Sequence, residues 1–245
     1  MSLRRILGLL TASALLFALP LGPVQGKPVT KAPAWGDEDS PLRPGASLGG
    51  YCTFNFVFFS PRTKKAAPKG YIGTAAHCTE KIGEVVENPQ VGPVGEVVYD
   101  SDLVSSDVDF SLIELDPKII SETNPTVLHW GGPTRSVTQE DLAVGDQVDV
   151  YGYGVGLGAT EQTRPRYGLL VGFNDKEYQA DMPAVNGDSG SPLIHHETGA
   201  ALGIISRYGI EGVPPSTDLG PLMSWIFEEL DAAGFGKVQL ATVKA

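Results

Sequence analysis

Short β-prone runs cut by proline and glycine, rather than helical periods, fill this chain from Tyr51 to Ser206. Tyr51 to Phe59 is dense in Phe and Val, and Tyr71 to Ala75 is a shorter piece of the same kind. Val85-Val86 and Val97-Val98-Tyr99 are separated by Pro and Gly, and Phe110 to Leu115 is an apolar run ended by Pro117. Strand signals return at Gln147 to Tyr151, Tyr167 to Phe173, Pro192 to Ile194 and Ala201 to Ser206. Runs of this size, bounded by turn residues, predict an all-β architecture. The 30 Gly and 19 Pro among 245 residues suit it, because each shapes turns for its own steric reason. One helical period stands out. Leu222, Trp225, Ile226 and Glu229 or Leu230 fall at helical spacing after Gly220-Pro221, and Gly234 is the expected stop. The length admits one large domain or two small ones.

The first residues predict a signal peptide over 1–26. Arg4-Arg5 supplies a basic start, Ile6 to Leu19 an apolar stretch, and Val24 and Gly26 small residues for cleavage after Gly26. The apolar stretch is shorter than the roughly 20 residues of a spanning helix, and Pro20 and Pro23 interrupt the chain directly after it. Export, an extracellular location and no membrane association after signal removal are therefore expected. Residues 27–48, rich in Pro and charge, predict an irregular leader or short pro-segment, with an N-terminal arm as the alternative. The net charge of -11 argues against nucleic acid as a partner, because binding a phosphate backbone needs clustered basic residues. A monomer is expected.

Three blocks carry chemistry. Thr74-Ala75-Ala76-His77-Cys78 supplies a histidine, Asp107-Val108-Asp109-Phe110-Ser111-Leu112-Ile113 a carboxylate before an aliphatic run, and Asn186-Gly187-Asp188-Ser189-Gly190-Ser191-Pro192 a serine in a glycine-rich turn. Imidazole, carboxylate and hydroxyl are the parts of an activated serine nucleophile. His129 has no motif around it, and His195-His196 follows the serine block directly. The order His, Asp, Ser and the Gly-Asp-Ser-Gly-Ser string exclude an α/β-hydrolase esterase, whose Gly-x-Ser-x-Gly elbow comes first in the chain.

The three blocks resemble the chymotrypsin-like (trypsin-fold) serine endopeptidases, in the style of bacterial secreted members. The resemblance implies two antiparallel Greek-key β-barrels packed face to face with a C-terminal α-helix. The first barrel would span 49–125 and the second, with the helix, 126–236, leaving 237–245 as a tail. It implies His77 as base, Asp109 as its partner and Ser189 as nucleophile, with the N–H groups of Gly187 and Ser189 as the oxyanion hole. Asp107, two residues away, is the competing carboxylate; the aliphatic run directly after Asp109 favours the latter. The reaction needs no metal and no organic cofactor, and its substrates would be peptides or proteins.

The family's cysteine pairing maps onto Cys52 and Cys78, the two cysteines of the chain, a link worth roughly 3–4 kcal/mol for such a loop. Bacterial relatives pair the aspartate before the serine with an internal arginine, which makes Arg164 and Arg166 candidates for Asp188; a surface role for both is the alternative. Substrate contacts map onto Ser206, Arg207 and Tyr208, and the floor of the specificity pocket onto Pro183. The pocket therefore lacks the acid of the trypsin subgroup unless Asp181 or Glu211 supplies it. Arg207 and Tyr208 depart from the family's aromatic-glycine pattern, which keeps a second expectation open: a silent protease-fold binding protein.

Overall fold

The computed structural model describes residues 32–104, 106–154, 163–208 and 217–244. The expected signal peptide and Glu211 lie outside these residues. Two antiparallel sheets carry the chain, each joined in Greek-key order. In the first, Val57–Ser60 (β3), Lys69–Thr74 (β4), Val85–Asn88 (β5), Gly92–Asp100 (β6) and Ser111–Leu115 (β7) lie in the order β3-β4-β7-β6-β5. In the second, Gln147–Tyr151 (β8), Pro165–Phe173 (β9), Glu177–Asp181 (β10), Pro192–His195 (β11) and Ala200–Ile204 (β12) lie as β12-β11-β8-β9-β10. Arg207–Tyr208 (β13) and Thr217–Pro221 (β14) extend that edge as β10-β14-β13. The fourth strand of each key returns beside the first, which curls the sheet on itself. The two-barrel, mostly β expectation holds.

Alternation decides what each sheet faces. On β3 and the residues before it, Phe56 and Phe58 enter one cluster while Phe54 and Val57 enter another. The second of these fills the first barrel with Ile72, Val97 and Ile113. A third cluster, with Val148, Leu170, Tyr178 and Leu193, fills the second barrel. The cluster holding Phe58 and Phe110 also holds Ile194, Ile204 and the helix residues Trp225 and Ile226, so it lies between the two sheets. The helix, Met223–Leu230 (α1), thus packs on both sheets. It passes into one wider turn, Asp231–Phe235, where Gly234 takes the left-handed conformation.

Two segments depart from the sequence expectation. The leader is irregular in backbone yet belongs to the packed body from Trp35 onward: Leu42 is fully buried, Ala46 and Leu48 nearly so. Ser47–Leu48 (β1) pairs with Cys52–Thr53 (β2). The tail is also structured. Gln239–Leu240 (β15) crosses back from the helix and joins the first sheet beside β3. Strands β10 and β14 gave no sequence signal, because their residues are mostly polar, small or proline. Among the described residues no helix is long and apolar enough to cross a membrane.

Candidate active site

His77 sits in a single 3₁₀ turn, Ala76–Cys78, that follows β4, and the Cys52–Cys78 disulfide fastens that turn to β2. Asp109 enters from the other side, in the turn before β7. Its backbone is left-handed, at φ 48°, a conformation that aspartate tolerates better than most residues. That geometry brings both carboxylate oxygens to the ring: His77 Nδ1 lies 3.0 and 3.1 Å from Asp109 Oδ2 and Oδ1, and the His77 backbone N–H donates to Oδ1 at 3.2 Å. Asp107 is exposed.

Ser206 donates a short hydrogen bond from its hydroxyl to Asp109 Oδ2. The hydroxyl mapped to substrate binding is thus engaged on the carboxylate, and the residue is buried. The hydrogen bond with Asp109 raises the His77 pKa, against burial, which lowers it. Burial alone would raise Asp109; the hydrogen bonds from His77 and Ser206 outweigh it and hold the carboxyl below its usual value. The charged pair is therefore favoured, and Nε2 is the ring nitrogen left for a hydroxyl.

Ser189 is half-buried in the turn before β11. Its carbonyl accepts from the Thr53 N–H at 2.9 Å and lies 3.9 Å from Cys78 Sγ, beside His77. Gly190 has to be glycine. Its φ is 87°, and a Cβ there would come within 2.3 Å of the Thr53 carbonyl oxygen. Among the described residues the Ser189 hydroxyl makes no hydrogen bond, so the contact to His77 is open in this state. Such contacts are often long before substrate binds and tighten in the complex.

The N–H groups of Asp188, Gly190 and Ser191 donate to Val185, Ile205 and Asp188 carbonyls. Those of Gly187 and Ser189 have no acceptor among the described residues, and Gly187 holds φ 103°. Two backbone donors on one tight turn are therefore free of acceptors among the described residues. Asp188 turns away from them and is fully buried. Arg166 grips it bidentately, both contacts at 2.5 Å, while the N–H groups of Gly154 and Val185 donate to it at 2.9 and 2.8 Å. Arg166 also donates to the Pro183 carbonyl at 2.9 Å.

Arg164 lies instead over the Tyr153 ring, 3.9 Å from its centroid. Arg166 shares the inward face of β9 with Leu170, whereas Arg164 precedes the strand; the two have the same parity, so alternation alone does not separate them. Arg207 on β13 pairs with Glu177 on β10, across the intervening β14. The Tyr208 side chain lies outside the description. Asp181 is exposed at the end of β10.

Sequence reasoning missed two residues. Thr53, fully buried on β2, donates from its hydroxyl to the Gly187 carbonyl at 2.7 Å. Asp218, on β14 opposite Tyr208, is buried, and its Oδ2 has no partner among the described residues. Burial first, then the charges of Asp188 and Asp181, push its carboxyl up to about 7 against the pull of Arg166.

Comparison with known proteins gives the frame for this geometry. The family model described as Trypsin matches residues 67–217, more than half of the chain. No curated protein matches the sequence. The fold is similar to Thermobifida fusca Protease A, at TM-score 0.56 and 19% identity over 82% of this chain and 99% of that one. It is similar to Nocardiopsis protease at 0.58 and 19%, with the same coverage of both chains. Cellulomonas bogoriensis chymotrypsin aligns at 0.55 and 17% over 82% of this chain and 99% of its own. At such identities these structures speak to the fold, and the match of the family model speaks to descent: the chain belongs to the trypsin family of serine proteases.

Proposed function

We propose that this protein is an exported serine endopeptidase that hydrolyses peptide bonds through an acyl-enzyme intermediate. The observation that carries the reading is the His77–Asp109 pair, bonded through Nδ1 to both carboxylate oxygens, beside the turn that presents Ser189 and two free N–H groups. Ser189 Oγ attacks the scissile carbonyl and His77 Nε2 takes its proton. Asp109 holds the ring in the tautomer that leaves Nε2 free and stabilises the imidazolium. The N–H groups of Gly187 and Ser189 meet the oxyanion, and each such donor is worth about 3 kcal/mol in the transition state. His77 then protonates the leaving amine, and water repeats the sequence on the ester.

Residues 206–208 accept the substrate backbone as an added strand, with the side chain before the scissile bond toward Pro183. The disulfide fits an oxidising compartment, which supports export. The open Ser189 hydroxyl favours one competing reading, a protease-fold binding protein without turnover. A fluorophosphonate separates the two. Labelling of the purified chain that is lost in Ser189→Ala and His77→Ala, with peptide-library cleavage lost in parallel, is the expected result. Hydrolysis that persists in either variant would falsify the assignment.

A further inference from the structure

Thr53 uses every polar atom it has on one junction. Its hydroxyl accepts from the Tyr153 N–H at 2.8 Å and donates to the Gly187 carbonyl at 2.7 Å. Its own N–H donates to the Ser189 carbonyl at 2.9 Å, and its carbonyl accepts from the Thr74 hydroxyl at 2.9 Å. One residue of the first barrel therefore holds the carbonyls of both residues whose N–H groups are free. It also ties them to the Tyr151–Gly154 segment of the second barrel and, through Thr74, to the strand that leads to His77.

Gly187 is where such a hold matters. At φ 103° it is a glycine and, like Gly190 in the same turn, has a wide choice of backbone conformations, so the peptide after it can rotate at low cost. Rotation there would carry Asp188 and the Ser189 N–H with it. A hydrogen bond to the Gly187 carbonyl keeps that peptide one way up. Arg166 and Asp188 brace the same turn from behind, so the hydroxyl is a second, independent restraint from the front. Removing it strands the buried Gly187 carbonyl and leaves the partly buried Tyr153 N–H without this partner, a loss the turn can relieve by moving.

The geometry points to Thr53 as a positioning residue for the oxyanion turn, its hydroxyl fixing the Gly187 peptide so that the Gly187 and Ser189 N–H groups converge. This rests on the catalytic reading of Ser189 proposed for the site. The hydroxyl touches no reacting atom; it acts through the turn. Its loss should therefore weaken binding of the tetrahedral state and leave ground-state binding alone.

The comparison that isolates the hydroxyl is Thr53→Ser against Thr53→Ala, since both lose the methyl and only one loses the oxygen. Thr53→Val, nearly isosteric, serves as a third variant where the alanine packs poorly. Rates are counted per site titrated by the fluorophosphonate. Thr53→Ser should keep kcat within about threefold, whereas Ala and Val should lower it about 10- to 100-fold with KM within about twofold, somewhat less than loss of a whole oxyanion donor. Affinity for a peptide aldehyde, which places an oxyanion in the turn, should fall in step with kcat. Affinity for a peptide competitor without that carbonyl should not change. Equal turnover in Ser and Ala, or a loss confined to KM, overturns the role of Thr53 while the enzyme reading stands. Failure of the unmodified chain to label at Ser189 overturns both.

Discussion

His77 and Asp109 illustrate how much one contact sets. Because the Asp109 hydrogen bond raises the imidazole pKa, the neutral ring that the proposed mechanism uses as base appears only above the ordinary imidazole value near 6.5. The acid limb of kcat/KM against pH should therefore lie above that value. Asp109→Asn should move the limb down and lower kcat about a thousandfold or more, by freeing the tautomer. A limb that stays in place in the variant would detach it from His77. Asp218 allows a stability test of the opposite kind. Its folded pKa of about 7 exceeds the ordinary 3.8 of an unfolded chain, so between these values the folded state holds a proton the unfolded state has lost. Stability from this group falls as pH rises through that window. Asp218→Asn should thus melt increasingly above the unmodified protein from about pH 5 to about pH 8, as calorimetry would show. An equal shift at both pH values contradicts the raised pKa. The residues of the proposed triad were legible because each sits in a short distinctive string. Thr53 and Asp218 were not, since their importance comes from neighbours far away in sequence.

At the level of elements, the start of β9 separates two arginines that look equivalent on paper. Arg166, on the strand, pairs with Asp188, and Arg164, just before it, lies over the Tyr153 ring. Arg166→Met leaves the Asp188 carboxylate buried without its cation, which costs about 3–5 kcal/mol. Arg164→Ala removes a cation–π contact worth about 1 kcal/mol. Denaturant unfolding of the two variants should reproduce that gap, and loss of turnover should accompany only the first. Similar losses in both would mean the ion pair does not hold the turn. The strands that sequence alone located, β3 to β9, β11 and β12, are those that carry runs of apolar or β-prone residues. Strands β10 and β14 were invisible because sheet neighbours on both sides, rather than their own side chains, define them.

Across the whole molecule, the two ends of the described chain close it. The arm lays Leu42 under the first barrel and hydrogen-bonds its carbonyl to the Asn124 N–H at 2.9 Å. The last segment buries Val238, Leu240 and Ala241, pairs β15 with β3 and donates from the Val243 N–H to the Pro133 carbonyl. Deleting residues 238–245 should therefore destabilise the fold by roughly 3 kcal/mol or more, from lost apolar burial alone. Denaturant midpoints check this, and an unchanged midpoint would make the segment a true tail. What the amino-acid order determined unaided was the class of fold and the identity of the chemical strings: short β-prone runs between turn residues, and three motifs in one order. Such features are local, set by side-chain shape and by neighbours a few positions away. Tertiary structure alone decided which arginine meets Asp188, that Ser206 serves Asp109, that Thr53 clamps the serine turn, and that both ends of the described chain pack. Each of those depends on groups brought together from across the chain by burial, for which linear spacing carries no signal.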